Sequence, residues 1–153
     1  MKQMVRRLED KLISSGITKL DRVLAIGMYI VYLLWFSTRL RDWVPPVDPE
    51  DLAFLWADIM DTLLASVGLV LAVRHHFWLE RVAAQLLGAS TFLQTLVLTI
   101  FLTVDGADHY QSNMLLGLAL AFYFNMRAFG LSVRILRARD ALELKLKTPG
   151  ELQ

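Results

Sequence analysis

Long apolar stretches alternate with short charged connections along this chain. Four of them, residues 23–40, 52–73, 82–104 and 114–136, are 18 to 23 residues long and carry few charges. A helix needs about 20 apolar residues to cross a bilayer's hydrocarbon core. The pattern therefore predicts an all-α integral membrane four-helix bundle, one domain over residues 1–153. In hydrocarbon every backbone polar group must be satisfied within the segment, which leaves the helix as the spanning form.

The flanking residues refine this picture. Residues 2–14 place Met4, Val5, Leu8, Leu12 and Ile13 at helical spacing among Lys2, Arg6, Arg7 and Lys11, an amphipathic helix suited to an anionic membrane face. Ser14-Ser15-Gly16 breaks it, and Thr18 with Asp21 has the spacing of a capping box for the next helix. Trp35 and Trp43 suit an aromatic belt. Pro45, Pro46 and Pro49 interrupt helix before the second span, which begins near Asp51. The connection from Arg74 to Arg81 is short enough to make a tight helical hairpin. After the acidic stretch 105–111, Ser112 or Asn113 caps the fourth helix, whose extension over 134–147 is expected to leave the membrane before Thr148-Pro149-Gly150.

Charge then orients the bundle. Of the 16 basic residues, six precede the first span, two (Arg39 and Arg41) lie at its outer end, two lie in the second connection, none in the third, one (Arg127) lies inside the fourth span and five lie from Arg134 onward. Placing both termini in the cytoplasm keeps thirteen basic residues inside and two outside, as the positive-inside rule requires. The acids Asp42, Asp48, Glu50, Asp51, Asp105 and Asp108 then fall outside. The expected location is the cell's inner, cytoplasmic membrane.

Composition agrees: hydrophobic residues make up 56% of 153, and mean hydropathy is +0.46. A soluble chain of this size cannot hide that much apolar surface. Net charge is only +1, so nucleic-acid binding is not expected. Cysteine is absent, which excludes disulfides and thiolate chemistry. About twenty mostly polar residues precede the first span, so that span is expected to stay in the mature protein rather than act as a cleaved leader. Arg6-Arg7 does not read as a twin-arginine signal, because Glu9-Asp10 follows at once.

Chemistry inside the spans is sparse. Asp58 and Asp61 in the second span, and Asn125 and Arg127 in the fourth, form the candidate intramembrane polar site. Charges at that depth cost about 3 kcal/mol each and commonly serve function. Arg127 lies within reach of Asp61. It also sits roughly 120° from the centre of its helix's small-residue stripe, which favours snorkelling to the cytoplasmic headgroups over a buried pair.

Three stripes of small or polar residues run along the spans: Asp58, Asp61, Thr62, Ala65, Gly68 and Ala72; Ala84, Gly88, Thr91, Thr95 and Thr99; and Gly117, Ala121, Asn125, Ala128 and Ser132. Such stripes let membrane helices pack closely; the sharper alternative is that they line a water-filled path. His75 and His76 are adjacent and make a poor metal pair, and Asp105, Asp108 and His109 read as a solvated loop. Neither cofactor nor metal is expected. No nucleophile elbow, phosphate loop or zinc helix is present, so the chain is not expected to be an enzyme, intramembrane catalysis by the Asp58–Asp61 pair being the minor exception.

In length, topology and charged ends the chain is similar to small multi-span phage holins, a resemblance of architecture without shared motifs. It implies homo-oligomers that permeabilise the inner membrane. Two alternatives stand beside it: a non-catalytic scaffold or subunit whose basic ends recruit a cytoplasmic partner or anionic lipid, and a small proton-coupled carrier using Asp58 and Asp61.

Overall fold

The computed structural model describes residue 8 and residues 11–41, 49–105 and 111–147, and within these it is helical apart from short turns. Among the described residues, four long helices follow a short helical stretch at 11–15: α1 (Lys19–Arg41), α2 (Pro49–Val73), α3 (Phe77–Asp105) and α4 (Gln111–Lys147). Trp43, Pro45 and Pro46, the acids Asp42, Asp48 and Asp108, His109 and the terminal Thr148-Pro149-Gly150 lie outside the described residues. So do Met4 and Val5 of the expected amphipathic helix.

Among the described residues, three helices are long and apolar enough to cross a membrane, over Lys19–Ser37, Leu55–Val73 and Met114–Leu144. The fourth expected span, 82–104, lies within α3, whose 29 residues are ample in length. Gln85, Thr91, Gln94 and Thr95 place polar side chains along its first two thirds. Element ends also move outward from the sequence expectation. α2 starts at Pro49, at the first helical position, where the missing N–H costs nothing. α3 starts at Phe77, five residues before Val82.

Cross-helix contacts fix the topology. Gly68 lies against Tyr29, and Asp61 bonds Tyr32, so α1 and α2 run antiparallel. Gly88 meets Asn125 and Gly117 meets Thr95, so α3 and α4 do as well. α1 is antiparallel to α4, since Asp21 pairs with Arg134 while Tyr29 packs on Phe124 with ring centroids 4.9 Å apart. The result is an up-down-up-down arrangement around a central core of Tyr29, Tyr32, Ala65, Leu87, Leu120 and Phe124. Outward faces are apolar too: Leu63, Val67, Phe92, Leu93, Phe122 and Phe129 are all exposed. Helices apolar within and without are those that hydrocarbon solvates.

The end of the bundle that carries residues 11–18 and the α2–α3 turn, here termed the base, has its own core. Ile13 and Ile17 are buried there with Phe77, Leu131, Ile135 and Ala138. Residues 11–15 are helical, but Ile13 faces protein. Of the expected surface-lying helix, Ile13 turns to the apolar lower half of α4, while Leu8 is exposed. At the start of α1 the Asp21 N–H donates to Thr18 Oγ1 at 3.1 Å, the cap that the sequence spacing suggests.

The α2–α3 turn closes by a Schellman motif. The His76 N–H donates to the Leu71 carbonyl at 3.0 Å and the His75 N–H to Ala72 at 3.4 Å. His75 takes φ 59°, in the left-handed region where glycine is the usual occupant. His75→Gly is therefore expected to stabilise the protein by about 1 kcal/mol, read as a raised unfolding midpoint in detergent. An unchanged or lowered midpoint would show that the imidazole contributes more than the strain costs.

Candidate functional site

Polar side chains inside the bundle fall into layers. Nearest the base, Arg134 of α4 pairs with Asp21 of α1 at 3.0 Å. This contact is half-open, with side-chain exposures of 32% and 35%. One layer deeper, Arg127 binds Glu80, Nε donating to Oε1 at 2.8 Å and Nη2 standing 2.7 Å from the same oxygen. Glu80 is fully buried at 0% exposure and Arg127 nearly so at 10%. Arg81 donates from Nη1 to Ser132 Oγ at 3.4 Å and lies over the Trp78 ring, 4.8 Å from its centroid.

At mid-bundle lies the acidic centre. Asp58 and Asp61 are each 1% exposed on the inward face of α2. Asp61 Oδ2 accepts from Tyr32 Oη of α1 and from Gln94 Nε2 of α3, both at 3.0 Å. Thr91 Oγ1 stands 3.4 Å from the Tyr32 hydroxyl, yet its one proton is better placed on the Leu87 carbonyl at 2.6 Å. Tyr32 thus spends its proton on the carboxylate. Its ring meets Phe124 edge-on at 5.7 Å and Trp35 at 5.8 Å, which holds the phenol in place. Three helices therefore converge on one carboxyl, with Asp58 a single turn away.

The four candidate residues do not form one cluster. Asp58 and Asp61 come together, as their three-residue spacing on a helix requires. Arg127 does not reach Asp61, nor does it snorkel free: Glu80 takes it. Asn125 is exposed, donates from Nδ2 to the Ala121 carbonyl of its own helix at 2.8 Å and packs at Gly88. Hydropathy and spacing miss Glu80, Tyr32 and Gln94. For Glu80 a signal exists, because it shares a face with Ala84, Leu87 and Thr91 at intervals of 4, 7 and 11 residues. Assigning it to the connection between helices hides that face.

The stripes are packing surfaces within a single copy. A Cβ on Gly68 would stand 2.4 Å from the Tyr29 ring, and one on Gly117 would stand 2.7 Å from Thr95 Oγ1. The hydroxyls turn back to their own helices: Thr62 to Asp58, Thr95 to Thr91, Thr99 to Thr95 and Ser132 to Ala128, all within 3.0 Å. Groups satisfied in this way do not need water. Among the described residues no group of three or more histidines and acids stands together in a metal-binding arrangement.

Fold and centre together define a class, an all-helical bundle with helices long and apolar enough to cross a membrane and a buried acidic centre. Comparison with known proteins takes this no further, since the chain matches no family model, no curated protein and no solved structure.

Proposed function

We propose that this is a four-span protein of the cytoplasmic membrane, both termini in the cytoplasm, that carries a small cation, in the first place a proton, on Asp58 and Asp61. It is a carrier component rather than an enzyme, and it works as a homo-oligomer. The observation behind this is the pair of carboxyls, each 1% exposed at the middle of α2, with Tyr32 and Gln94 directed at Asp61. A packing contact at that depth is made as well by threonine, as Thr91 does, without the roughly 3 kcal/mol that a charge costs there. Two acids in that place are understandable when they exchange a cation.

A holin-like pore loses its footing by comparison, because the stripes that would line it are spent on packing. Four spans also leave little room for a transport path in one copy, so a second copy is needed to complete it. The scaffold alternative draws on the base, since Lys11, Lys19, Arg22, Arg74, Arg137 and Arg139 belong to the segments that form it or adjoin them. There a cytoplasmic protein partner or anionic lipid would meet positive charge.

Proteoliposomes enclosing a pH-sensitive dye and driven by a potassium diffusion potential test the proposal. Wild type is expected to acidify the lumen, whereas Asp61→Asn and Asp58→Asn, shown to melt like wild type, do not. Equal acidification by the variants, or none by wild type, would refute it. Entry of a large impermeant dye would restore the pore.

A further inference from the structure

Between α1 and α4 at the base a groove of about 200 Å³ opens to the outside. Leu24, Met126 and Leu131 make its apolar wall with Tyr123 beside them, Arg127 lines it while bound to Glu80, and Asp21 and Arg134 stand at its rim. Gly130 leaves it open, for a Cβ there would meet no atom within 4 Å. The rim pair is mutually bonded, but neither partner is saturated. Arg134 uses only Nη2 on Asp21, so Nε and Nη1 keep donors to spare. The Asp21 carboxylate has acceptor positions left beside the one used, and a third of its side chain is exposed.

We propose that this groove holds a phospholipid with a primary ammonium head, of the phosphatidylethanolamine type, drawn from the inner leaflet. This rests on the proposed four-span orientation, which sets the base at the headgroups. The recognition is chemical. A guanidinium with free N–H groups suits the phosphate, and an exposed carboxylate 3.0 Å away suits an ammonium that donates hydrogen bonds. The apolar wall beyond takes the start of an acyl chain. A quaternary choline head cannot donate to Asp21, and a glycerol head brings no positive charge to it. The groove therefore discriminates among heads that share one phosphate.

Purified protein in detergent, exchanged with equimolar phosphatidylethanolamine, phosphatidylcholine and phosphatidylglycerol, reports this by the lipid retained in native mass spectra. Wild type is expected to retain the ethanolamine lipid about tenfold over each of the others, the size of one charge-assisted hydrogen bond. Asp21→Asn should level the ethanolamine and choline lipids. That variant also touches a helix cap and an ion pair, so Gly130→Leu serves as the second: it fills the groove, leaves every rim charge in place and should abolish retention of all three. Equal retention by wild type, a preference for the glycerol lipid, or full selectivity in Gly130→Leu would each overturn the proposal. Displacement of bound lipid by free glycerol phosphate would overturn it in favour of a soluble anion. None of these results depends on cation transport, so the groove and the acidic centre stand or fall separately.

Discussion

Glu80→Leu is expected to cost about 3 to 5 kcal/mol, because it leaves the Arg127 guanidinium at 10% exposure with its partner gone. Arg127→Met should cost a comparable amount, stranding a carboxylate that has no exposure at all. The double variant Glu80→Leu, Arg127→Met is expected to lie close to wild type, since two well-packed apolar residues avoid both desolvation penalties. Equilibrium unfolding in mixed micelles gives the cycle directly. Additive losses in the double variant would mean that the 2.7 Å contact is not an energetic pair. The same cycle on Asp61 and Arg127 should show no coupling, because Asp61 is served by Tyr32 and Gln94.

The second large effect belongs to Gly88. A Cβ there would lie 2.9 Å from the backbone nitrogen of Asn125 and 2.8 Å from its Nδ2. A side chain could swing away, but a helix backbone moves only by parting α3 from α4. Gly88→Ala should therefore lose about 1 to 3 kcal/mol, the usual range for overpacking. Gly27 provides the control, as nothing lies within 4 Å of a Cβ there. Gly27→Ala is expected to be neutral or to gain up to about 1 kcal/mol from reduced backbone freedom. If the two alanines behave alike in micelle unfolding, close approach of α3 and α4 is not what holds them together.

Part of the candidate site is legible in the amino-acid sequence. Asp58 and Asp61 stand out because acids are rare inside apolar runs, and their spacing puts them on one face with Ala65, Gly68 and Ala72, all of which are buried. The packing role of the stripes is legible too, since small residues at helical spacing imply close approach. The partner of Arg127 is not. Pairing depends on where α3 begins, and hydropathy alone starts that helix at Val82, beyond the first turn that carries Glu80 inward. Tyr32 and Gln94 stay hidden for a related reason: a hydroxyl or amide within an apolar run shows no sign of which neighbouring helix it faces.

The chain's own pattern determined the secondary structure and the apolar length of its helices, because period, run length and uncharged stretches act locally, within one helix and its surroundings. It also placed the break at Gly16 and the cap at Thr18, which depend on residues close in sequence. Tertiary structure alone decided the rest. Glu80 lies 47 residues from Arg127, and Asp21 lies 113 from Arg134. Such pairings follow from helix rotation and register, which are set by how Tyr29 fits Gly68 and how Asn125 fits Gly88. A short run of sequence cannot express a fit between two surfaces it contains only one side of.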